Sequence, residues 1–506
     1  MENDKHRNYK IWQPLLLGVV AALGFYGGLK AKLPEVHRDS TGYALKVDNA
    51  QKLRDVLAYV HAQYQDSLDE NWLIDLAIQN FIQTLDPYSE YIPTRQVHDA
   101  NDLVNGIHQS YGTDFIYVDS NLVLFNVDSN SVVSKQGLRN GDVVIRMNGR
   151  SMQINAPESQ NQLDSIYACY SDSLEVEVMS VITGQIKSLR LMAEKREQSS
   201  IPISREMGNG IAYVKISEFT KGTYRNFMET LEDYLGNKGN TKIIIDLRGN
   251  TGGLIGEVAS ILNQLVDQKN VLLFQTKGRS KKSKDYLSTG KTFFRIDQIA
   301  LLVDSCTASA AELFALSLQD LGKARVYGDT TFGKATILEQ FELSDGSSIR
   351  LAIGHFTTQS KRDIQRHYMH SSASSGPINT PRKNVNFPYG VLPDETNERN
   401  TYWPWLSEAS IEWMDKYILD NIHRFIGIVG HQPERIFEDP MIDKEISIAF
   451  SLRPKSIVEL DAKEQFKEQF RFGLCAWLFH SDLEQRARLD HDPLVKHVLL
   501  QLNQQQ

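Results

Sequence analysis

A chain of 506 residues is longer than a single compact core supports, so its length predicts three or four domains. Apolar residues make up 41% of the chain and charged residues 23%, which excludes a wholly disordered or collagen-like protein. The formal net charge of −8 argues against nucleic acid as a partner bound through the overall field of the protein.

Residues 11–29 form an uncharged, apolar stretch near the start of the chain. As a helix rising about 1.5 Å per residue, this stretch spans about 28 Å, close to the ~30 Å hydrocarbon thickness of a bilayer. The basic segment 1–10 precedes it, and such leaders stay in the cytoplasm. We therefore predict a single-pass anchor in the inner (cytoplasmic) membrane, with the rest of the chain on the exported, periplasmic side. A cleaved signal peptide and a buried or interfacial helix are the alternatives.

The rest of the chain divides into regions that differ in the spacing of their apolar residues. Residues 33–98 predict a helical region, because Leu53, Val56 and Val60 recur at three- and four-residue steps. From 99 to 196 the pattern changes to short alternating runs that predict a small β-rich module.

Strands and helices alternate from 197 to 398, which predicts an α/β core with right-handed crossovers. Residues 399–506 are rich in Trp and predict a helical C-terminal extension, docked on the core or on another subunit. The fold class is therefore mixed α/β, with a β-rich module before the core and helical regions at both ends.

The first chemically suggestive segment follows the buried strand 243–247. Here the chain continues from Asp246 and Arg248 into a glycine-rich turn that contains Gly252 and Gly253. Glycines let the backbone turn tightly and present N–H groups to a developing negative charge. A plain strand-to-helix turn with a structural Asp–Arg pair explains the segment equally well.

The second segment ends a strand at Asp304 and begins a helix near Ser309, where helix N–H groups favour an anionic oxygen. A nucleophilic serine needs a base, and neither junction contains a histidine. Lys334, preceded by Gly333, is the candidate base if burial lowers its pKa. The ordinary alternatives are that Ser309 only caps the helix and that Lys334 is solvated.

Two other groups of residues are weaker candidates. Ser288 and Lys291 have the S-x-x-K spacing of penicillin-recognising enzymes, but the companion S-D-N and K-T-G motifs are missing. His367 and His370 have a spacing that suits a metal only weakly. The cysteines lie too far apart for a disulfide framework or a zinc pattern, although one disulfide stays open in an exported chain. The sequence predicts no cofactor and no metal.

The two strand-to-helix junctions and the segment that contains Gly333 and Lys334 together resemble the C-terminal processing (tail-specific) serine peptidases. That family carries D-L-R-x-N-x-G-G-L, S-A-S-A-S-E and T-F-G-K-G motifs, and residues 246–254, 307–312 and 331–335 are similar to them. Residues 137–142, G-L-R-N-G-D, are similar to a motif of the family's PDZ domain. The likeness covers residues from about 50 to 395.

The resemblance implies roles for individual residues. Ser309 matches the nucleophile and Lys334 the general base. The oxyanion hole would use the backbone N–H of Ala310 and one from the Gly252–Gly253 turn. The implied activity is a Ser–Lys endopeptidase that cuts proteins near their C-termini, with protein or peptide substrates bound through their C-terminal segments by a PDZ module at 99–196. Whether the enzyme forms a homo-oligomer is left open.

The chain departs from the family pattern near both predicted sites. Leu338 stands where the family has a glutamine that orients the lysine, and Thr336 or Gln340 would replace it if they lie on the same strand face.

The PDZ carboxylate-binding loop corresponds to Gly106, Ile107 and His108, where His108 replaces a small residue. A catalytically weak or inactive relative that acts as a peptide-binding scaffold is therefore the alternative function. A serine hydrolase of non-peptide esters is a third.

Overall fold

The computed structural model describes residues 47–152, 173–279, 283–366, 389–396, 408–430, 432–454, 463–479 and 481–504. It contains two compact units, residues 1–76 and 77–506. The predicted leader and anchor lie outside the described residues, so both stay predictions. Within those ranges, every helix is too short or too polar to cross a bilayer.

The described part of the first unit is helical. Helix α1 (Val47–Gln63) is followed by the start of α2 (Glu70–Gln83). His61 Nδ1 lies 2.9 Å from Glu70 Oε1, which links the two helices across the turn. Leu53 and Val56 on α1 are exposed.

The second unit continues with β1 (Glu90–Ile92) and α3 (Thr94–Val104), followed by a β-rich region. Its elements are β2 (Ile107–Ser110), β3 (Asp114–Val118), β4 (Asn121–Phe125), α4 (Val132–Lys135), β5 (Val143–Met147), β6 (Arg150–Ser151), β7 (Ser173–Met179), β8 (Ile186–Met192) and β9 (Glu194–Glu197).

Strands β3, β4, β5, β7 and β8 pair antiparallel in that order, and β6 pairs with β5. Leu174, Val176 and Val178 alternate into the buried face, as their spacing predicts. Asp142, in the predicted PDZ motif, is buried and accepts the N–H groups of Arg139 (2.9 Å) and Val181 (2.8 Å). The carboxylate thereby fixes the turn before β5. The assignment of this region as a PDZ domain stays a prediction.

The α/β core has a sheet in the order β10 (Ile203–Glu206), β11 (Ile211–Lys215), β12 (Lys242–Asp246), β15 (Gln298–Val303), β16 (Arg325–Gly328) and β19 (Glu395–Thr396). All neighbours from β11 to β19 are parallel, and β10 is antiparallel to β11. Helices α5 (Thr223–Leu231), α6 (Ile255–Leu265) and α7 (Ala310–Asp320) follow β11, β12 and β15. The predicted mixed α/β fold class is confirmed. Because β12 and β15 are parallel neighbours, the two suggestive junctions lie at the same sheet edge.

A second sheet lies beside the core. It has the order β1, β18 (Ser348–Thr357), β13 (Lys269–Gly278) and β14 (Lys284–Thr289), with β17 (Thr336–Glu342) also paired to β18. Strand β1 belongs to this sheet although the sequence places residues 33–98 in a helical region. Pro87 disfavours helix at the residue before it, so the helix ends before β1. The N–H and C=O groups of β1 instead form hydrogen bonds by antiparallel pairing with β18, where Tyr91 lies opposite Ile349.

The C-terminal extension is helical, as predicted. Its helices are α8 (Glu408–Asp420), α9 (Ile422–Val429), α10 (Arg435–Glu438), α11 (Pro440–Leu452), α12 (Lys463–Leu478), α13 (Ser481–His491) and α14 (Pro493–Gln504). Val495 and Val498 of α14 pack against Tyr213 and Leu302 on one face of the core sheet.

The same extension also contacts the β-rich region. Ile418 and Trp477 share a buried cluster with Val118 and Val123, and Asn140 donates a hydrogen bond to the carbonyl of Ala476 at 2.8 Å. The extension therefore packs on both the core sheet and the β-rich region of its own chain.

Candidate active site

Ser309 lies in the turn between β15 and α7. Asp304 Oδ1 closes this turn by accepting the N–H groups of Cys306 (3.0 Å) and Thr307 (2.9 Å). Ser309 is half-buried and has φ 54° and ψ −117°, a backbone conformation that residues other than glycine rarely adopt. Strained residues of this kind cluster at active sites, and a sharp strand-to-helix turn presents a serine hydroxyl for attack.

Glu312, on the first turn of α7, is fully buried, and its carboxylate accepts four hydrogen bonds. Oε1 accepts from the Thr331 hydroxyl (2.5 Å) and the Gly333 N–H (2.7 Å). Oε2 accepts from the N–H groups of Ser309 (2.8 Å) and Lys334 (2.7 Å). Burial raises the pKa of Glu312, and the four donors oppose that shift. The carboxylate thus joins the loop that carries Ser309 to the loop that carries Lys334.

The glycine-rich turn after β12 lies directly against Ser309 and Ala310. A Cβ atom on Gly252 would lie 2.9 Å from the Ser309 Cβ and 3.0 Å from the Ala310 nitrogen, so only glycine fits there. Gly252 donates its own N–H to Asn250 Oδ1 at 2.8 Å. The N–H groups of Gly253 and Ala310 have no hydrogen-bond partner within the described ranges. Of the two glycines predicted for an oxyanion hole, Gly253 therefore has the free donor.

Lys334 has a partly buried side chain, and its main-chain N–H binds Glu312 as described above. Its Nζ lies 4.8 Å from the centroid of the Tyr88 ring and has no hydrogen-bond partner among the residues that the structure describes. Burial lowers the pKa of Lys334 below its ordinary value, against the opposing charge of Glu90 and with the help of Arg350. A depressed pKa increases the fraction of neutral amine, the form that can accept a proton.

The predicted orienting residues, Thr336 and Gln340, bind other partners. The Thr336 hydroxyl donates to Gln365 Oε1 (3.0 Å), and Gln340 Oε1 accepts from Arg350 (3.2 Å). The prediction assumes an unbroken strand from Lys334 onward. In the structure β17 begins only at Thr336, and its pairing with β18 becomes irregular one residue later. Both side chains thus have hydrogen-bond partners other than Lys334, and their role in orienting Lys334 stays a prediction.

The predicted carboxylate-binding loop is largely engaged within the chain. Gly106 donates its N–H to the Leu103 carbonyl and accepts the N–H of Gln198, both at 2.9 Å. Ile107 and His108 lie in β2, which pairs antiparallel with β9. Gly106 therefore has no free N–H for a substrate carboxylate.

A metal site has little support from the described residues. His98, Asp99 and Asp102 lie close enough together to share an ion, but Lys195 Nζ already lies 2.7 Å from Asp102. A cation would have to compete with this ammonium. Cys306 and Cys475 are free thiols and form no disulfide with each other; Cys306 is exposed and Cys475 is buried. Cys169, His367 and His370 lie outside the described ranges.

Sequence reasoning missed two residues of the site. Glu312 has a recognisable signal, because Ser309 followed three residues later by a glutamate matches a capping box. No local pattern predicts the contact of Tyr88 with Lys334, because that contact depends on β1 joining a sheet built from residues far away in the chain.

Residues 210–371 match the model of peptidase family S41. They contain Ser309, Lys334 and the glycine turn. This region belongs to peptidase family S41. The resemblance to the C-terminal processing serine peptidases is thereby confirmed.

Relatives of the chain carry matching names. It is 28% identical to the carboxy-terminal processing protease CtpA of Bacillus subtilis, over 61% of this chain and 65% of that protein. It is 26% identical to CtpB of the same organism, over 69% of this chain and 74% of that protein. A probable CtpA-like serine protease of Staphylococcus aureus is also 26% identical, over 73% and 72% respectively.

Two solved structures match this chain over about two thirds of its length. The photosystem II D1 C-terminal processing protease is 20% identical, with a TM-score of 0.39, covering 68% of this chain and 86% of that one. Mature CPAF is 11% identical, with a TM-score of 0.33, covering 68% and 86%.

Proposed function

We propose that this S41 chain is a serine endopeptidase of the C-terminal processing type, with Ser309 as nucleophile and Lys334 as general base. The observation that carries the proposal is the shared Glu312 carboxylate, which binds the main-chain N–H groups of both residues. The strained backbone of Ser309 and the lowered pKa of Lys334 add to it.

The proposed reaction uses the neutral amine. Lys334 Nζ removes the Ser309 hydroxyl proton as Oγ attacks the peptide carbonyl carbon, and the negative carbonyl oxygen accepts hydrogen bonds from the Ala310 and Gly253 N–H groups. The C–N bond then breaks, and the ammonium of Lys334 gives its proton to the leaving amine. Water hydrolyses the acyl ester with Lys334 again taking the proton, which returns to Ser309.

The finer parts of the proposal rest on the sequence. The turn fixed by Asp142 belongs to the motif that resembles a PDZ domain, and we assign residues 99–196 to binding the C-terminal segments of substrate proteins. Gly106 would offer no N–H to that binding, because its N–H already binds the Leu103 carbonyl. Residues 11–29 would anchor the enzyme in the inner membrane with its catalytic part on the exported side.

The test is cleavage of a peptide panel by the purified chain together with labelling by an active-site serine probe. Wild type should cleave and be labelled, and Ser309→Ala should do neither. Lys334→Ala should lose several orders of magnitude in rate, while Ser305→Ala, in the same turn but exposed, should retain activity. Cleavage that survives in Ser309→Ala would contradict the assignment. Varying the substrate C-terminus while holding the scissile sequence constant tests the role of residues 99–196.

One observation favours a second function. No amide or hydroxyl orients Lys334 within the described ranges, and Leu338 stands where the family has a glutamine. A chain with an unoriented base would act as a peptide-binding scaffold. Peptide binding without cleavage or probe labelling, at any pH up to that at which lysine is neutral, would support this second function.

A further inference from the structure

The amine of Lys334 lies against an aromatic ring. Its Nζ is 4.8 Å from the centroid of the Tyr88 ring, inside the range of about 6 Å over which a ring face attracts a cation. Within the described ranges the amine has no hydrogen-bond partner. The Tyr88 ring is therefore the group whose position can determine where the amine lies.

Tyr88 is itself firmly placed. Asp86 Oδ1 accepts the N–H groups of Tyr88 and Ser89, both at 2.7 Å, and Oδ2 accepts the Ser89 hydroxyl at 2.6 Å. The buried Ser89 hydroxyl also accepts the N–H of Ala352 on β18 at 3.0 Å. Directly afterwards, β1 pairs with β18. Hydrogen bonds within the turn at 86–89 thus hold its conformation, and further hydrogen bonds bind it to β18.

The charged groups around Lys334 are already bound by other donors and acceptors. They are Asp86 in the turn before β1, Glu90 on β1, Arg350 on β18 and Glu312 on α7. Glu90 and Arg350 form an ion pair at 2.5 Å, and Asp86 and Glu312 accept the hydrogen bonds described above. These groups set the field at the amine, but none of them holds it by a direct hydrogen bond.

We propose that Tyr88 is a positioning residue for Lys334, in the role that the missing glutamine at position 338 would have. This inference rests on the proposed function, since it assumes that Lys334 is the general base. The ring shields one side of the neutral amine from water and holds it in place. The ring face also stabilises the ammonium that forms when Lys334 takes the Ser309 proton, so its effect is larger in the transition state than before it.

The test compares Tyr88→Leu with Tyr88→Phe. Leucine keeps an apolar wall but removes the ring face, whereas phenylalanine keeps both. We expect Tyr88→Leu to lower the plateau of kcat/KM about tenfold and to shift the apparent pKa of the pH profile downward by about half a unit, because the ammonium loses its attraction to the ring. Tyr88→Phe should stay within about threefold of wild type, with the profile unshifted.

Tyr234→Leu is the matched control. Lys238 Nζ lies 4.3 Å from the Tyr234 ring centroid, so this variant removes the same kind of contact away from the site. Its pH profile should equal that of wild type. An unshifted profile and full plateau in Tyr88→Leu would overturn the proposal, as would equal losses in Tyr88→Leu and Tyr88→Phe. Thermal melting of each variant shows whether it is folded.

A second readout does not need catalysis. In the Ser309→Ala background, the pH dependence of amine labelling by an arylating reagent, read by mass spectrometry, reports the pKa of Lys334 directly. A downward shift in Tyr88→Leu but not in Tyr88→Phe supports the ring contact, and equal pKa values overturn it. If wild type neither cleaves peptides nor reacts with a serine probe while the labelling shift is present, the proposed enzyme activity fails but the contact between ring and amine stands.

Discussion

The main-chain N–H groups of Ser309 and Lys334 donate to the same oxygen, Oε2 of Glu312, at 2.8 and 2.7 Å. Their two nitrogens therefore lie no farther apart than the sum of these distances, although one residue follows β15 and the other precedes β17. The other oxygen of Glu312 binds Thr331 and Gly333. A single buried carboxylate thus sets the separation of the main-chain segments that carry the proposed nucleophile and base.

Glu312→Gln should damage both stability and activity. The amide places an NH₂ group where two donors already point, which leaves buried N–H or O–H groups without an acceptor. At about 1–3 kcal/mol for each such group, we expect a loss of about 2–4 kcal/mol in the free energy of unfolding and at least a tenfold loss in kcat/KM. Denaturant titration and peptide cleavage measure the two effects. Glu342→Gln, at an exposed position on β17, is the control. A Glu312→Gln variant with wild-type rate and stability would show that the carboxylate does not link the two loops.

Gly252→Ala should abolish most activity. The added methyl group would meet the Ser309 Cβ at 2.9 Å and the Ala310 nitrogen at 3.0 Å, and the backbone φ of 114° is strained for alanine. We expect kcat/KM to fall about 100-fold or more, because the proposed nucleophile and a proposed oxyanion donor are both displaced. The matched variant Gly256→Ala lies in α6, where a methyl group meets nothing within 4 Å. It should keep full activity and gain up to about 1 kcal/mol in stability. Comparable rates in the two variants would argue against the close approach.

Lys334→Met should be inactive but more stable than wild type at pH 7. Burial lowers the pKa of Lys334, so the unfolded chain binds this proton more tightly than the folded protein. The charged amine therefore costs stability below its folded pKa, and the cost disappears as the pH approaches ~10.4, where a free lysine also loses its proton. Melting temperatures measured from pH 7 to pH 10 should show an advantage of Lys334→Met that shrinks as the pH rises. An advantage that grows with pH would mean that the amine is not destabilised by burial.

The same reasoning predicts the pH profile of the wild-type enzyme. Activity should rise with pH through an apparent pKa below ~10.4, because only the neutral amine accepts the Ser309 proton. Initial rates with one peptide substrate, in buffers of constant ionic strength, measure this profile. A flat profile between mild acid and alkali would rule Lys334 out as the base.

Leu502→Ala should lower the stability of the core. Leu502 on α14 is 4% exposed and packs with the core sheet, whereas Leu500 on the same helix is 61% exposed. We expect Leu502→Ala to cost about 2–3 kcal/mol in the free energy of unfolding, from lost burial and a residual cavity, and Leu500→Ala to cost less than about 0.5 kcal/mol. Equal effects would indicate that α14 does not pack on the sheet.

Local sequence patterns were sufficient for much of the fold. The alternation of apolar residues at 174–178 and the alternating strands and helices of the core are properties of short segments, and the structure has both. Ser309 is predicted at a strand-to-helix turn because Asp304 ends a hydrophobic run and a helix-forming run follows. Glu312 was within reach of the same reasoning through its spacing from Ser309.

Other features depended on contacts between distant segments. The pairing of β1 with β18 is not visible in the residues of β1, which lie inside the predicted helical region 33–98. Strand alternation cannot locate where β17 begins or where its pairing with β18 becomes irregular, because both depend on the partner strand.

The sequence by itself determined which residue types are present for serine chemistry, since a strained turn, a glycine-rich turn and a lysine leave local patterns. Only the tertiary structure decided which groups surround the amine and what covers the core sheet. An amine's protonation and position depend on burial and on neighbours contributed by β1, β18 and α7, and no local pattern encodes burial by segments so far apart in the chain.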